Sequence, residues 1–207
     1  MRLGMRVAML RNVSTLLLEW TPRLVLASMA GLEWVAFYHV AERLLSIPVT
    51  LTHGVSRSML PALGEFAGQK DLPRFRSLFY RSTLWGGGAV VVALGITLAA
   101  TPFLTELLFP ADYAEPVYRF ATILFWAGVC QAFSLGIDSF YIATNRIRTW
   151  YGLSFAGLIV CVPLAVWLIR TIPVAGAAFA TVVLNAWLLV IVAFAFLWLS
   201  LSRERAW

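Results

Sequence analysis

The sequence predicts an all-α membrane protein, a polytopic bundle of six transmembrane helices. Three observations carry this. The chain is 61% hydrophobic and only 13% charged, where a soluble domain has about 25% charged residues; mean hydropathy is +0.83. Its apolar residues fall in unbroken runs of about 20, the length that crosses a bilayer core. Its basic residues are segregated: eleven of the sixteen Lys and Arg lie in terminal or alternate inter-span segments, at 2, 6, 11, 70, 74, 76, 81, 146, 148, 203 and 205. Only helices and closed barrels satisfy their backbone in lipid, and continuous apolar runs lack the alternation of a barrel strand.

The first span covers residues 13–32. Arg2, Arg6 and Arg11 before it, and Ser28-Met29-Ala30 at its end, have the outline of a signal peptide. Glu19 and Arg23 interrupt the apolar core that such a segment needs, so a span is expected instead. The second span covers 35–60 and contains Pro48, as the first contains Pro22. Proline removes a backbone donor, so these positions are either hinges or tolerated kinks.

Residues 64–82 form the one long polar connection. Phe75, Leu78 and Phe79 recur there at helical spacing beside Arg74, Arg76 and Arg81. This fits an amphipathic helix at the headgroup level, or a helical extension of the third span. That span, 84–104, opens with Gly86-Gly87-Gly88, which suits close helix approach. The fourth covers 117–143, the fifth 150–169 with Pro163 inside it, and the sixth 174–199. Neither 150–169 nor 171–202 contains any Asp, Glu, Lys or Arg.

The positive-inside rule puts both termini and the second and fourth connections on the cytoplasmic side. It also accounts for the net charge of +6 without a nucleic-acid partner, and no further basic patch exists. Cys130 and Cys161 sit within apolar runs as small hydrophobes. The two histidines, His39 and His53, belong to no metal-ligand motif, so neither a metal nor another cofactor is expected. No nucleophile–base pair, paired catalytic carboxylates or phosphate loop appears, which disfavours an enzyme.

The intramembrane charges stand out. Glu19, Arg23, His39, Glu42 and Arg43 crowd into the first two spans. An ionisable side chain in hydrocarbon costs about 2.5–3.5 kcal/mol on insertion scales, so such groups face a bundle interior or a watery cavity. At about 1.5 Å per residue, Arg23 and Arg43 approach the midplane from antiparallel neighbours. Two readings stand side by side. In one, Arg23 and Arg43 form a cationic floor for an anionic headgroup, since a guanidinium fork suits phosphate, with Glu19, His39 and Glu42 as counter-charges or proton carriers. In the other, the same residues are structural ion pairs locking the two spans together. Gln131, Asp138 and Asn185 are secondary polar candidates; a structural role is the simpler reading for Asp138 and Asn185.

Four passages carry a resemblance. Residues Gly31 to Leu44 (GLEWVAFYHVAERL) resemble the G…VG-x-Y-x-x-A-x-R-L passage of polysaccharide and O-antigen flippases, within the multidrug/oligosaccharidyl-lipid/polysaccharide exporter superfamily. Ser58 to Leu63 resemble its P-x-L closure of the following span. Leu107 to Tyr113 resemble its L-L-F-G-x-x-Y loop, and Val174 to Ala180 its x-x-G-A-A-x-A entry to the last helix. Pro110 and Ala36 stand where glycine is usual.

The resemblance implies a flippase for undecaprenyl-pyrophosphate-linked sugars in the bacterial inner membrane. Such proteins have two six-helix lobes and this chain is similar to the C-terminal one, which implies a partner: an N-terminal lobe or a second copy. The alternatives are a cation-coupled drug exporter or lipid II flippase of the same superfamily, or a non-transporting membrane scaffold for polysaccharide assembly.

Overall fold

The computed structural model describes residues 20–201, apart from 21, 25 and 29. Among the described residues there is no strand, and the fold is all-helical. Helix α1 comprises the helical positions among residues 20–30. Helix α2 follows directly as Leu32–Gly68, and Gly31 between them takes φ 95. That left-handed conformation is cheap only for glycine, so a single residue reverses the chain. Glu33 occupies the first turn of α2, where its charge complements the helix N-terminus.

Helix α2 runs 37 residues through Pro48 and Pro61 without interruption. It ends in a Schellman turn: Lys70 adopts φ 57, and the Asp71 amide donates to the Phe66 carbonyl at 2.9 Å. Asp71 then caps helix α3, Leu72–Arg81, accepting from the Arg74 amide at 3.1 Å, with Pro73 in the first turn. Leu72, Phe75 and Phe79 of α3 are buried against the bundle. The polar connection is therefore the end of α2, a tight turn and an upright helix whose apolar face meets protein.

A five-residue π turn, Ser82–Gly86, joins α3 to α4, Gly87–Leu108. Along α4, Thr97, Thr101 and Thr105 each donate to the carbonyl one turn earlier, which satisfies hydroxyls in an apolar helix. A 3₁₀ turn at Ala111–Tyr113 leads into α5, Ala114–Phe133. Val117, Phe120, Ala121, Leu124 and Gly128 of α5 are buried at helical spacing, and α5 packs against α2, α4 and α8. The single span expected over 117–143 is two helices. Gly136, at φ 81, breaks the run before α6, Ile137–Ala143. Asn145, at φ 54, turns the chain into α7, Ile147–Thr171, and α8 is Pro173–Leu201.

Four stretches of the described residues are long and apolar enough to cross a membrane: Leu72–Leu108, Ala114–Ala143, Ile147–Thr171 and Val174–Ser200. These correspond to the last four of the six expected spans. Helices α1 and α2 fall within the first two; α2, at 37 residues, is long enough to cross, but its polar and charged residues leave it short of the apolarity of the other four.

The buried side chains form two clusters. One joins Tyr38, Ala41, Leu45 and Val49 of α2 to Val90, Leu94, Phe120, Leu124, Ala165 and Ala180. The other joins Met59 and Leu63 of α2 to Leu72, Phe75, Phe79, Phe140, Ile191 and Leu199.

Candidate substrate-facing site

Three ionisable residues of the first two spans, Arg23, His39 and Glu42, meet between α1 and α2. Arg23 Nη2 donates to Glu42 Oε2 at 2.6 Å, and His39 Nδ1 lies 3.7 Å from the same oxygen. The Arg23 guanidinium also stands 5.6 Å from the centre of the Trp20 ring. Its side chain is 23% exposed and that of Glu42 is 30% exposed, so the pair is mostly withdrawn from solvent. Arg23 Nε is buried and donates to nothing among the described residues. Glu19 lies outside the described residues.

Arg43 behaves differently. One residue along from Glu42, it is rotated by about 100° and is exposed; among the described residues its guanidinium has no ion pair. The structure thus joins Arg23, His39 and Glu42 as one group and leaves Arg43 outside it as an exposed cation with no ion pair among the described residues.

Helix α2 shows why. Tyr38, Ala41 and Leu45 point into the core, at 1%, 0% and 4% exposure. His39, Arg43, Thr50 and Arg57 are all exposed. Their spacing places them within an arc of about 40°, along about 27 Å of helix. Ser46, half-buried, falls on the same line, and its hydroxyl is turned back to the Arg43 carbonyl at 2.7 Å. A polar stripe of this length beside helices as apolar as α4 and α5 cannot stably face hydrocarbon; it suits a wetted wall.

The secondary candidates stand apart from this group. Gln131 is half-buried near the end of α5, and Asp138 is half-buried in the first turn of α6. Asn185 donates to the Thr181 carbonyl of its own helix at 2.8 Å. Two bonds between helices flank that level, and neither is marked in the sequence: Tyr38 Oη and Thr181 Oγ1 lie 2.8 Å apart, and Trp187 Nε1 donates to the Leu153 carbonyl at 3.0 Å. Arg57 was also passed over, although its spacing from His39 and Arg43 on one helix face was available to find it. Among the described residues, no three His, Cys, Asp or Glu side chains stand together in a way that could hold a metal ion.

The quoted resemblance now has a physical content. Within Gly31 to Leu44, the glycine makes the reversal, Tyr38 and Ala41 build the interface of α2 with its neighbours, and Arg43 is exposed, as are Glu33 and His39 of the same stretch.

No curated protein and no solved structure matches the chain. The MatE family matches it over residues 8–167, a stretch that reaches from before α1 to near the end of α7. Members of this family are membrane transporters of the exporter and flippase superfamily. With its apolar helices and its charged α1–α2 wall, the chain belongs to the MatE family.

Proposed function

We propose that this MatE chain moves a lipid-linked oligosaccharide, such as a polysaccharide or O-antigen repeat unit, across the bacterial inner membrane. It does so as a C-terminal lobe working against a second wall, either an N-terminal lobe or another copy. The observation that carries the reading is the exposed Arg43 on the polar stripe of α2. Between His39 and Arg57 that stripe presents exposed cations and no exposed carboxylate, because Glu42 is held by Arg23. A pyrophosphate headgroup is drawn to such a wall, while a cationic drug is repelled by it. Within this reading Arg23 and Glu42 set the geometry, His39 and Glu42 are the proton-carrying candidates, and Arg43 meets phosphate.

The test is Arg43→Gln in cells, reading surface glycan, membrane level of the protein and sensitivity to cationic compounds. The expected result is lost glycan export with the protein still inserted at its normal level, and partial recovery with Arg43→Lys. Unchanged glycan export with altered drug sensitivity supports a drug exporter instead. Unchanged export and unchanged sensitivity support a scaffold.

A further inference from the structure

Two neighbouring helices are broken at the same level. In the α3–α4 pair the break is the π turn Ser82–Gly86, and in the α5–α6 pair it is Ser134–Gly136, with Gly136 at φ 81. The breaks face one another. Thr83, 2% exposed, donates from Oγ1 to the Leu135 carbonyl at 3.3 Å. A Cβ on Gly87 would lie 2.9 Å from Phe133 Cδ1 and 3.0 Å from the Ala132 carbonyl oxygen, and one on Gly86 would lie 3.4 Å from Leu135 Cδ1. Helix α2 passes the same level at Ser56, whose carbonyl accepts from Ser139 Oγ at 2.7 Å.

The division between the two buried clusters falls along this line. Ala132 belongs to one cluster and Leu135 to the other; Val90 and Phe79 divide likewise, as do Val49 and Met59. Helix α8 crosses the line over residues 181–190, none of which is fully buried. An intact ladder of backbone bonds resists bending, and π turns or inserted breaks are where helices bend. Bending at a boundary between two separately packed cores opens neither of them.

We propose that this seam is a hinge. The block built on α3, α6 and the adjoining parts of α2 and α8 swings against the block that carries Arg23, Glu42 and Arg43. The Thr83–Leu135 bond ties the two breaks to each other and so couples their bending, and Pro48, which lacks an amide donor, gives α2 slack about two turns from Ser56. Neither the direction of transport nor the identity of the substrate enters this inference.

Pulsed electron–electron distance measurement on the full chain in lipid nanodiscs tests it, with Cys130→Ala and Cys161→Ala as background. Spin labels on Ser77→Cys and Ile96→Cys span the π turn, and labels on Trp126→Cys and Ile142→Cys span the second break; all four positions are exposed. Labels on Ile96→Cys and Trp126→Cys, both within the block that carries Arg23, Glu42 and Arg43, form the control pair. The expected result is two distance populations for each cross-seam pair and one for the control. Thr83→Val keeps the side-chain shape but removes the bond that couples the two breaks, and is expected to change the population ratio by about twofold to tenfold. A single narrow population for the cross-seam pairs, or a ratio indifferent to Thr83→Val, overturns the hinge.

Discussion

Arg23 of α1 and Glu42 of α2, nineteen residues apart in sequence, meet at 2.6 Å across the reversal at Gly31. The bond fixes the rotation of both helices, and with it the outward direction of Arg43. It also explains how two charges are tolerated at this depth: each neutralises the other, and neither is fully desolvated.

Removing one member leaves the other stranded. Glu42→Gln is expected to lower stability by about 1.5–3 kcal/mol, the range for losing a hydrogen bond to a charged group. The double variant Arg23→Met/Glu42→Leu is expected to recover most of that loss, because no uncompensated charge remains. Thermal unfolding in detergent checks both, with a double-mutant cycle giving the coupling.

Arg43 and Arg57 lie on one stripe but at opposite ends of it. Each is exposed, so neither Arg43→Gln nor Arg57→Gln is expected to move stability by more than about 0.5 kcal/mol. Binding of a phosphate-bearing amphiphile to the purified protein is expected to weaken by about fivefold for each, the equivalent of about 1 kcal/mol. Titration at two salt concentrations checks this, and a shallower salt dependence in each variant is the accompanying sign.

The Tyr38–Thr181 bond ties α2 to α8, two helices otherwise linked through α5. Tyr38→Phe and Thr181→Val are each expected to cost about 1 kcal/mol. The costs should not add, since either change removes the same bond. Unfolding of both single variants and the double variant settles it.

The glycines of α7 and α8 differ sharply in what surrounds them. A Cβ on Gly176 would lie 2.5 Å from the Leu168 carbonyl oxygen, which is backbone and cannot step aside. On Gly157 it would run into the Trp187 ring, which is itself held by its indole bond to the Leu153 carbonyl at 3.0 Å. Gly152 has nothing within 4 Å. Gly176→Ala and Gly157→Ala are therefore expected to destabilise by about 1–3 kcal/mol. Gly152→Ala is expected to stabilise by about 0.5–1 kcal/mol. Melting temperatures of the three variants supply the check.

The helices that span by apolarity were plain in the sequence, because α4, α7 and α8 carry long runs with few charges. What local pattern could not show was where the runs break. Residues 117–143 read as one span because Ser134-Leu135-Gly136 is a weak stop signal; the carbonyl freed there is satisfied by Thr83, 52 residues away. Gly86-Gly87-Gly88 was legible as a place of close approach, which it is, but not as the end of a π turn. The charged cluster was legible as residue types and depth. Its pairing was legible only in outline: ion pairs locking the two spans together were one of the two readings, but the particular partners, Arg23 and Glu42, were not marked. Asn185 drew attention as a polar group deep in the last helix, yet a bond across helices lies one turn away, at Thr181. Side-chain partners at that distance in sequence depend on packing, which no window of neighbours encodes.

The lengths of the helices have a last consequence. At about 1.5 Å per residue, the 37 residues of α2 reach about 55 Å. The stretch Leu72–Leu108 has the same number of residues. A bilayer is about 40–45 Å thick with its headgroups. The hairpin turned at Lys70 is therefore longer than the hydrocarbon by more than an ordinary tilt absorbs, and its turn, which carries Lys70, Arg74 and Arg76, is the charged end suited to the phosphate layer. Helix α7, with 25 residues and about 37 Å, has no such reserve. Changes in bilayer thickness are then borne by α7, while the hairpin slides through the interface without meeting its limit.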